Sequence, residues 1–167
     1  MAARRKGRIM AFQALYSWDA NCGFAAGKAA KKTGDDTAES GIPEGLLDFS
    51  WNQKSDGTPA FTDETAAFSR LLVTGTLENI SAVDKMIQKH LKNWSLERLN
   101  LVDRAILRMS VYTLMFQSDM PPSIIIDEAI CIAREFGTAD SYSFVNGVLD
   151  AVLKTIIQAE KNGAKPA

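Results

Sequence analysis

Apolar residues recur at every third or fourth position along most of this 167-residue chain, and that spacing constrains the fold more than any other feature. No segment alternates apolar and polar residues with the period of two that is typical of a half-buried strand. The sequence therefore predicts an all-α fold of six or seven helices in a single domain spanning residues 1–167. The predicted helices run from Ile9 to Asp19, from Thr62 to Leu77, from Ser81 to Leu91, from Asn100 to Phe116, from Pro122 to Gly137, and from about Val145 towards the C-terminus.

Several predicted helix ends carry the residues that helix ends favour. Thr62 is a suitable N-cap, and Asn100 with Asp103 three residues later resembles a capping box. Gly137 is predicted to end the preceding helix as its C-terminal glycine. In that helix the core-facing residues are predicted to be Ile126, Ala129, Ile130 and Ala133.

Residues 21–60 differ from the rest of the chain in composition. They hold six of the eleven glycines, two prolines and scattered charges, which predicts a long surface loop with one or two short helical turns. Phe49 and Trp51 are expected to tether this loop to the body by ordinary packing. Residues 160–167 are predicted to form a polar tail.

Composition and motifs exclude several classes of protein. Nineteen basic and twenty acidic residues give a net charge of −1, which excludes a strongly basic nucleic-acid binder. Membrane-spanning and signal-peptide segments are not predicted, and two distant cysteines suit a reducing cytoplasm. Phosphate-binding glycine loops and metal-ligand spacings are absent, and the one histidine, His90, lies near a helix end between lysines. The sequence thus predicts a cytoplasmic protein that is not an enzyme and needs no cofactor or metal.

The charges are unevenly distributed, because the first eighteen residues contain four cations and no acid. Arg4, Arg5, Lys6 and Arg8 form a predicted basic arm over residues 1–8. Such a cluster is either a solvated tail or an arm that follows a phosphate backbone. Both interpretations remain open from the residues alone.

Residues suited to binding unpaired RNA bases occur near both ends of the chain. Gln13 and Tyr16 follow the arm, and Phe144 lies at the edge of the apolar stripe of the last helix. An aromatic there is either part of the core rim or a stacking platform for a base. A DNA-binding helix-turn-helix over residues 133–149 is disfavoured, because its second helix would offer no cation before Lys154.

Four motifs occur together in order: RxxAxQALYxW, DRAILR, EAxxxAxxFG and FVNGVLD. With their flanking residues they cover both ends and about two thirds of the chain, and they resemble the NusB family of bacterial transcription antitermination factors. Gly7 stands where the family often has alanine. Residues 21–60 depart most from the family, so the resemblance implies no function for them.

The resemblance implies a fold of two small helical bundles and a non-enzymatic role. Family members bind the boxA stretch of nascent RNA with NusE, a ribosomal small-subunit protein, within an antitermination complex on RNA polymerase. Matching positions imply that Tyr16 and Asp103 face NusE. The residues implied to contact RNA are Arg4, Arg5, Lys6, Arg8, Gln13, Tyr16, Asp140, Ser141 and Phe144.

Two other functions remain open from the sequence. One is a free-standing relative of the RNA-binding module fused to ribosomal-RNA cytosine methyltransferases, and the other is a helical protein–protein adaptor that never contacts RNA. Apolar surface could serve either a homodimer or NusE. Since the net charge is near zero, we expect the protein alone to bind RNA weakly and a basic partner to strengthen binding.

Overall fold

The computed structural model describes residues 2–23, 42–43 and 45–163, and these ranges contain six α-helices and no extended strand. The prediction of an all-α fold is confirmed. The helices are α1 (Ala2–Trp18), α2 (Asp63–Glu78), α3 (Ile80–Lys89), α4 (Leu101–Phe116), α5 (Pro122–Phe136) and α6 (Ser141–Lys161). Within the same ranges, no helix is long and apolar enough to cross a membrane.

The chain divides into two compact units, Met1–Glu78 and Asn79–Ala167. The first contains α1 and α2, and the second contains α3 to α6. The predicted loop over residues 21–60 lies partly outside the described residues, as do the last four residues of the predicted tail.

In the N-terminal unit, α1 packs closely against α2 at Gly7. A Cβ atom at Gly7 would lie 2.6 Å from Cδ1 of Phe68, so only glycine leaves the ring in its present place. The buried hydroxyl of Ser69 donates a hydrogen bond of 2.7 Å to the carbonyl oxygen of Gly7. Phe49, from the loop before α2, fills the core of this unit with Met10 and other fully buried side chains.

The start of α1 differs from the prediction. The helix begins at Ala2 rather than Ile9, so Arg4, Arg5, Lys6 and Arg8 project from its first turns and not from an extended arm. Lysine, arginine and alanine are good helix formers, which is consistent with the earlier start. The four cations therefore have fixed directions around a helix axis.

In the C-terminal unit, α4 is the most buried helix, with eleven successive residues from Asp103 to Thr113 out of solvent. Arg108 on α4 forms two hydrogen bonds with Asp84 on α3, at 2.8 and 2.9 Å. Helices α5 and α6 pack against α4 and against each other. The buried residues of α5 are Ile125, Ala129, Ile132 and Ala133. Of the predicted core positions, Ala129 and Ala133 are therefore correct, whereas Ile126 and Ile130 are only half-buried.

The predicted caps are confirmed at two helix starts. The amide of Thr65 donates to the hydroxyl of Thr62 at 3.2 Å, and the amide of Asp103 donates to Asn100 Oδ1 at 2.8 Å. Gly137 does end α5, but its φ is −92°, which any residue can adopt. Glycine suits this position because a Cβ atom would lie 2.6 Å from the carbonyl oxygen of Ala133.

Candidate nucleic-acid interface

The outer side of α1 carries one group of residues suited to binding RNA. Arg5 and Tyr16 are about three helical turns apart, and Lys6 and Gln13 about two, so all four lie on one side of the helix. Arg5 and Tyr16 are exposed, whereas Lys6 and Gln13 are half-buried. This α1 outer face combines two cations, an amide and an aromatic ring.

The other two predicted cations lie beside Phe68 of α2. The guanidinium carbon of Arg8 lies 5.5 Å from the ring centre of Phe68, and that of Arg4 lies 5.8 Å from it. Arg8 is only 7% exposed. Cations over an aromatic face stabilise packing, so Arg8 contributes to the fold of this unit. The structure thus separates the four predicted cations into two pairs, with Arg4 and Arg8 beside Phe68 and Arg5 and Lys6 on the α1 outer face.

A short segment of chain before α2, residues 45–61, runs beside the α1 outer face. Near the start of the helix, the ammonium group of Lys6 donates to the carbonyl oxygen of Ala60. Further along, the indole N–H of Trp51 donates to Gln13 Oε1 at 3.4 Å. Lys6 and Gln13 are about 10 Å apart along the helix, so the segment is attached to α1 at two separate points.

A second group of predicted residues lines a shallow cleft of about 290 Å³ in the C-terminal unit. It includes Asp140, Ser141 and Phe144 at the start of α6, which were predicted to contact RNA. It also includes Asp103, which was predicted to contact the protein partner. The complete lining is Trp94, Arg98, Leu99, Asn100, Asp103, Thr138, Asp140, Ser141 and Phe144.

Two of these residues have clear structural roles. Ser141 is only 1% exposed, and its hydroxyl accepts a hydrogen bond of 2.9 Å from the amide of Thr138, which holds the turn between α5 and α6. Asp103 is buried and caps α4 with Asn100, whose Nδ2 donates to Asp103 Oδ2 at 2.9 Å. The other carboxylate oxygen, Oδ1, has no hydrogen-bond partner among the described residues.

Sequence reasoning missed two side chains in this cleft. Trp94 is 58% exposed, and Arg98 extends from a short 3₁₀ turn, Leu96–Arg98. A tryptophan in a short polar connection between helices is only a weak signal of a binding site. Its position beside Phe144 follows only from the tertiary structure. The cleft thus has two aromatic rings and one cation beside the exposed Asp140.

Comparison with known proteins identifies the family. The NusB family pattern matches residues 5–154 of the chain. The chain belongs to the NusB family. A relative from Treponema denticola, described as transcription antitermination protein NusB, is 47% identical over 150 residues, which cover 89% of this chain and 94% of the relative. The resemblance seen in the sequence is confirmed.

Solved NusB structures have the same fold. The structure of T. maritima NusB matches with a TM-score of 0.66 and 32% identity, covering 90% of each chain. A structure of antitermination factors NusB and NusE in complex with double-stranded RNA matches with a TM-score of 0.68 and 26% identity, covering 93% of this chain and 98% of the other. The order of helices described above is therefore that of a NusB fold.

Proposed function

We propose that this protein is a non-catalytic transcription antitermination factor that acts in the cytoplasm. It binds single-stranded boxA-type RNA together with NusE and joins the antitermination complex on RNA polymerase. The observation that carries this proposal is the α1 outer face, where Arg5, Lys6, Gln13 and Tyr16 share one side of a helix. The solved complex of a NusB with NusE and double-stranded RNA supports NusE and RNA as partners.

The residue types on α1 match what unpaired RNA requires. Single-stranded RNA is recognised by stacking and by hydrogen bonds to exposed base edges, while cations hold the phosphates. Arg5 and Lys6 supply the positive charge, and the amide of Gln13 both donates and accepts hydrogen bonds. Arg4 is exposed beside Phe68 and adds charge there, whereas Arg8 is buried and acts mainly through Phe68.

The cleft at the start of α6 is the second RNA site in this proposal. Phe144 and Trp94 offer rings on which bases can stack, and Arg98 can bind a phosphate. Asp140 is exposed and can accept hydrogen bonds from a base. Ser141 contributes by fixing the turn between α5 and α6, which presents Asp140 and Phe144.

The partner surface is proposed to include Tyr16, which is 40% exposed at the far end of α1. Asp103 is buried in its cap, so it supports such a surface by fixing the start of α4 rather than by a charged contact of its own. A net charge of −1 limits the attraction of this protein for RNA. A basic partner would lengthen the track of positive charge along the RNA.

Titration of a fluorescent boxA oligoribonucleotide with and without purified NusE tests the proposal. Because the coupling between two ligands is reciprocal, NusE should tighten RNA binding by the same factor by which RNA tightens NusE binding. Typical couplings of about 1–3 kcal/mol correspond to RNA affinities that are roughly 5- to 150-fold higher with NusE than without it. Equal RNA affinities in the two titrations would contradict joint binding, and NusE binding without any RNA binding would favour a protein adaptor.

The variant Phe144→Ala tests the cleft. If the ring stacks on a base, RNA binding should weaken by about 1–3 kcal/mol. Tyr142→Ala is the matched control, because Tyr142 is an exposed aromatic on the same helix and has no proposed RNA contact. A large drop in melting temperature with unchanged RNA affinity would assign Phe144 to the core alone.

A further inference from the structure

Trp51 is more exposed than ordinary packing would make it. The sequence predicts that Phe49 and Trp51 both tether the loop before α2, and Phe49 does so with no exposed surface. Trp51, in contrast, leaves 46% of its surface in solvent. A large ring on a segment whose neighbour already fills the core is available for another contact.

The exposed ring is nevertheless held in place. Its centre lies 5.6 Å from that of Phe49, with the two planes at 74°, which is the edge-to-face geometry that aromatic pairs favour. Phe49 has a φ of 54°, an uncommon backbone conformation for a residue with a large side chain. A long hydrogen bond of 3.4 Å joins the indole N–H of Trp51 to Gln13 on its other side.

Trp51 therefore borders the α1 outer face, on which the proposed RNA contacts lie. Lys54 follows in an exposed turn of the same segment and adds a cation. The nearby carboxylates of Asp48 and Asp56 each accept a hydrogen bond of 2.9 Å from the amide two residues later, so both are engaged in local turns. The surroundings of the ring thus contain the cation of Lys54, the amide of Gln13 and two carboxylates that are engaged in local turns, so they are polar rather than apolar.

We infer that Trp51 stacks on an unpaired base of the RNA bound along α1, so that the segment 45–61 extends the RNA site. The inference rests on the proposed function. It assigns a role to a part of the chain for which the family resemblance implies none. Stacking suits this position because the indole N–H is already bonded to Gln13, which leaves the ring faces as the main contact surface.

The test compares Trp51→Ala and Trp51→Phe in titrations with single-stranded boxA RNA. Loss of one stacked base should weaken binding by about 5- to 150-fold in Trp51→Ala, and Trp51→Phe should keep most of the affinity. Phe116→Ala is the matched control, because Phe116 is 43% exposed and lies in the C-terminal unit outside the proposed site. It should bind RNA as the wild type does.

Intrinsic fluorescence gives a readout that does not depend on the stability of Trp51→Ala. RNA should quench the wild-type emission more than that of Trp51→Phe, since stacking on a base quenches the indole directly. The inference would be overturned if Trp51→Ala bound RNA with wild-type affinity and RNA quenched the emission of Trp51→Phe as much as that of the wild type. That result would leave the proposed function intact. Loss of NusE binding with full RNA binding would assign the ring to a protein contact instead. If the wild type bound no RNA, both proposals would fall.

Discussion

The division of the four N-terminal cations predicts opposite effects for two double variants of α1. Arg5 and Lys6 lie on the outer face, whereas Arg4 and Arg8 lie against Phe68. Replacing Arg5 and Lys6 by alanine should weaken RNA binding, and it should lower stability less than replacing Arg4 and Arg8 does. Replacing Arg4 and Arg8 should lower stability and change the salt dependence of RNA binding much less.

The expected changes in salt dependence and in stability follow from the surroundings of the two pairs of cations. For single strands, each neutralised phosphate contributes about 0.7 to the slope of log affinity against log salt concentration. Loss of Arg5 and Lys6 should therefore reduce the slope by about 1.4, half of what four equivalent cations would supply. Arg8 is 7% exposed and covers Phe68, so its loss should cost about 1–2 kcal/mol of unfolding free energy. For a chain of this size, that corresponds to roughly 2–8 °C in melting temperature.

Fluorescence anisotropy at several salt concentrations measures the slope, and thermal unfolding measures stability on the same samples. Alanine favours helix at all four positions, so α1 itself should persist in both variants. The reasoning would be refuted if the Arg4 and Arg8 variant lost as much of the slope as the other one and kept its melting temperature. That result would mean that Arg4 and Arg8 bind phosphates and that their position on Phe68 contributes nothing to the fold.

Three further predictions concern the C-terminal unit. Asp84→Ala removes the carboxylate that accepts two hydrogen bonds from the buried Arg108 and should cost about 3 kcal/mol in chemical unfolding. Asp150→Ala breaks an exposed pair and should cost less than about 1 kcal/mol, and equal effects would contradict this ranking. Gly147→Ala should stabilise the protein by about 1 kcal/mol, because alanine favours a helix more than glycine does. The new Cβ atom has room, since no described atom outside the adjacent helix backbone lies within 4 Å of its position. A lower melting temperature would refute this prediction. Burial, followed by the charge of a neighbouring lysine, lowers the pKa of His90, so the unfolded chain binds a proton first as the pH falls below about 6.5. The free energy of unfolding should therefore decrease as the pH falls from about 6.5 to the pKa of His90 in the folded state. In His90→Gln, the melting temperature should fall less between about pH 7.5 and about pH 5.5 than it does in the wild type.

Most helices could be predicted from the sequence because their periodicity and caps are local signals. Thr62 and Asn100 form hydrogen bonds within three residues of themselves, so the sequence contains all that determines them. Periodicity places the start of α1 seven residues late, because the first two turns of the helix have few apolar residues to show a period. Those turns are fixed by contacts with Phe68 and Ser69, sixty or more positions away in the chain.

Residues of the candidate site could likewise be predicted only where the signal in the sequence is local. The position of Phe144 at the edge of an apolar stripe follows from spacing alone, and the structure places it half-buried at the rim of the cleft. Trp94 and Trp51 gave no such signal, because each lies in a connection without a repeating pattern. Their proximity to Phe144 and Gln13, respectively, depends on packing between distant segments.

The distribution of charge and rings bears on which form of RNA this protein would select. Phosphate contacts are similar for paired and unpaired strands, whereas stacking on a side chain requires a base that is free of its own stack. Because Arg8 is buried against Phe68, α1 offers fewer phosphate contacts than its sequence suggests. In the proposed complex, aromatic contacts at Trp51, Phe144 and Trp94 would then supply a larger share of the binding energy. Such a balance would favour unpaired RNA and would leave the protein dependent on a basic partner for the remaining affinity.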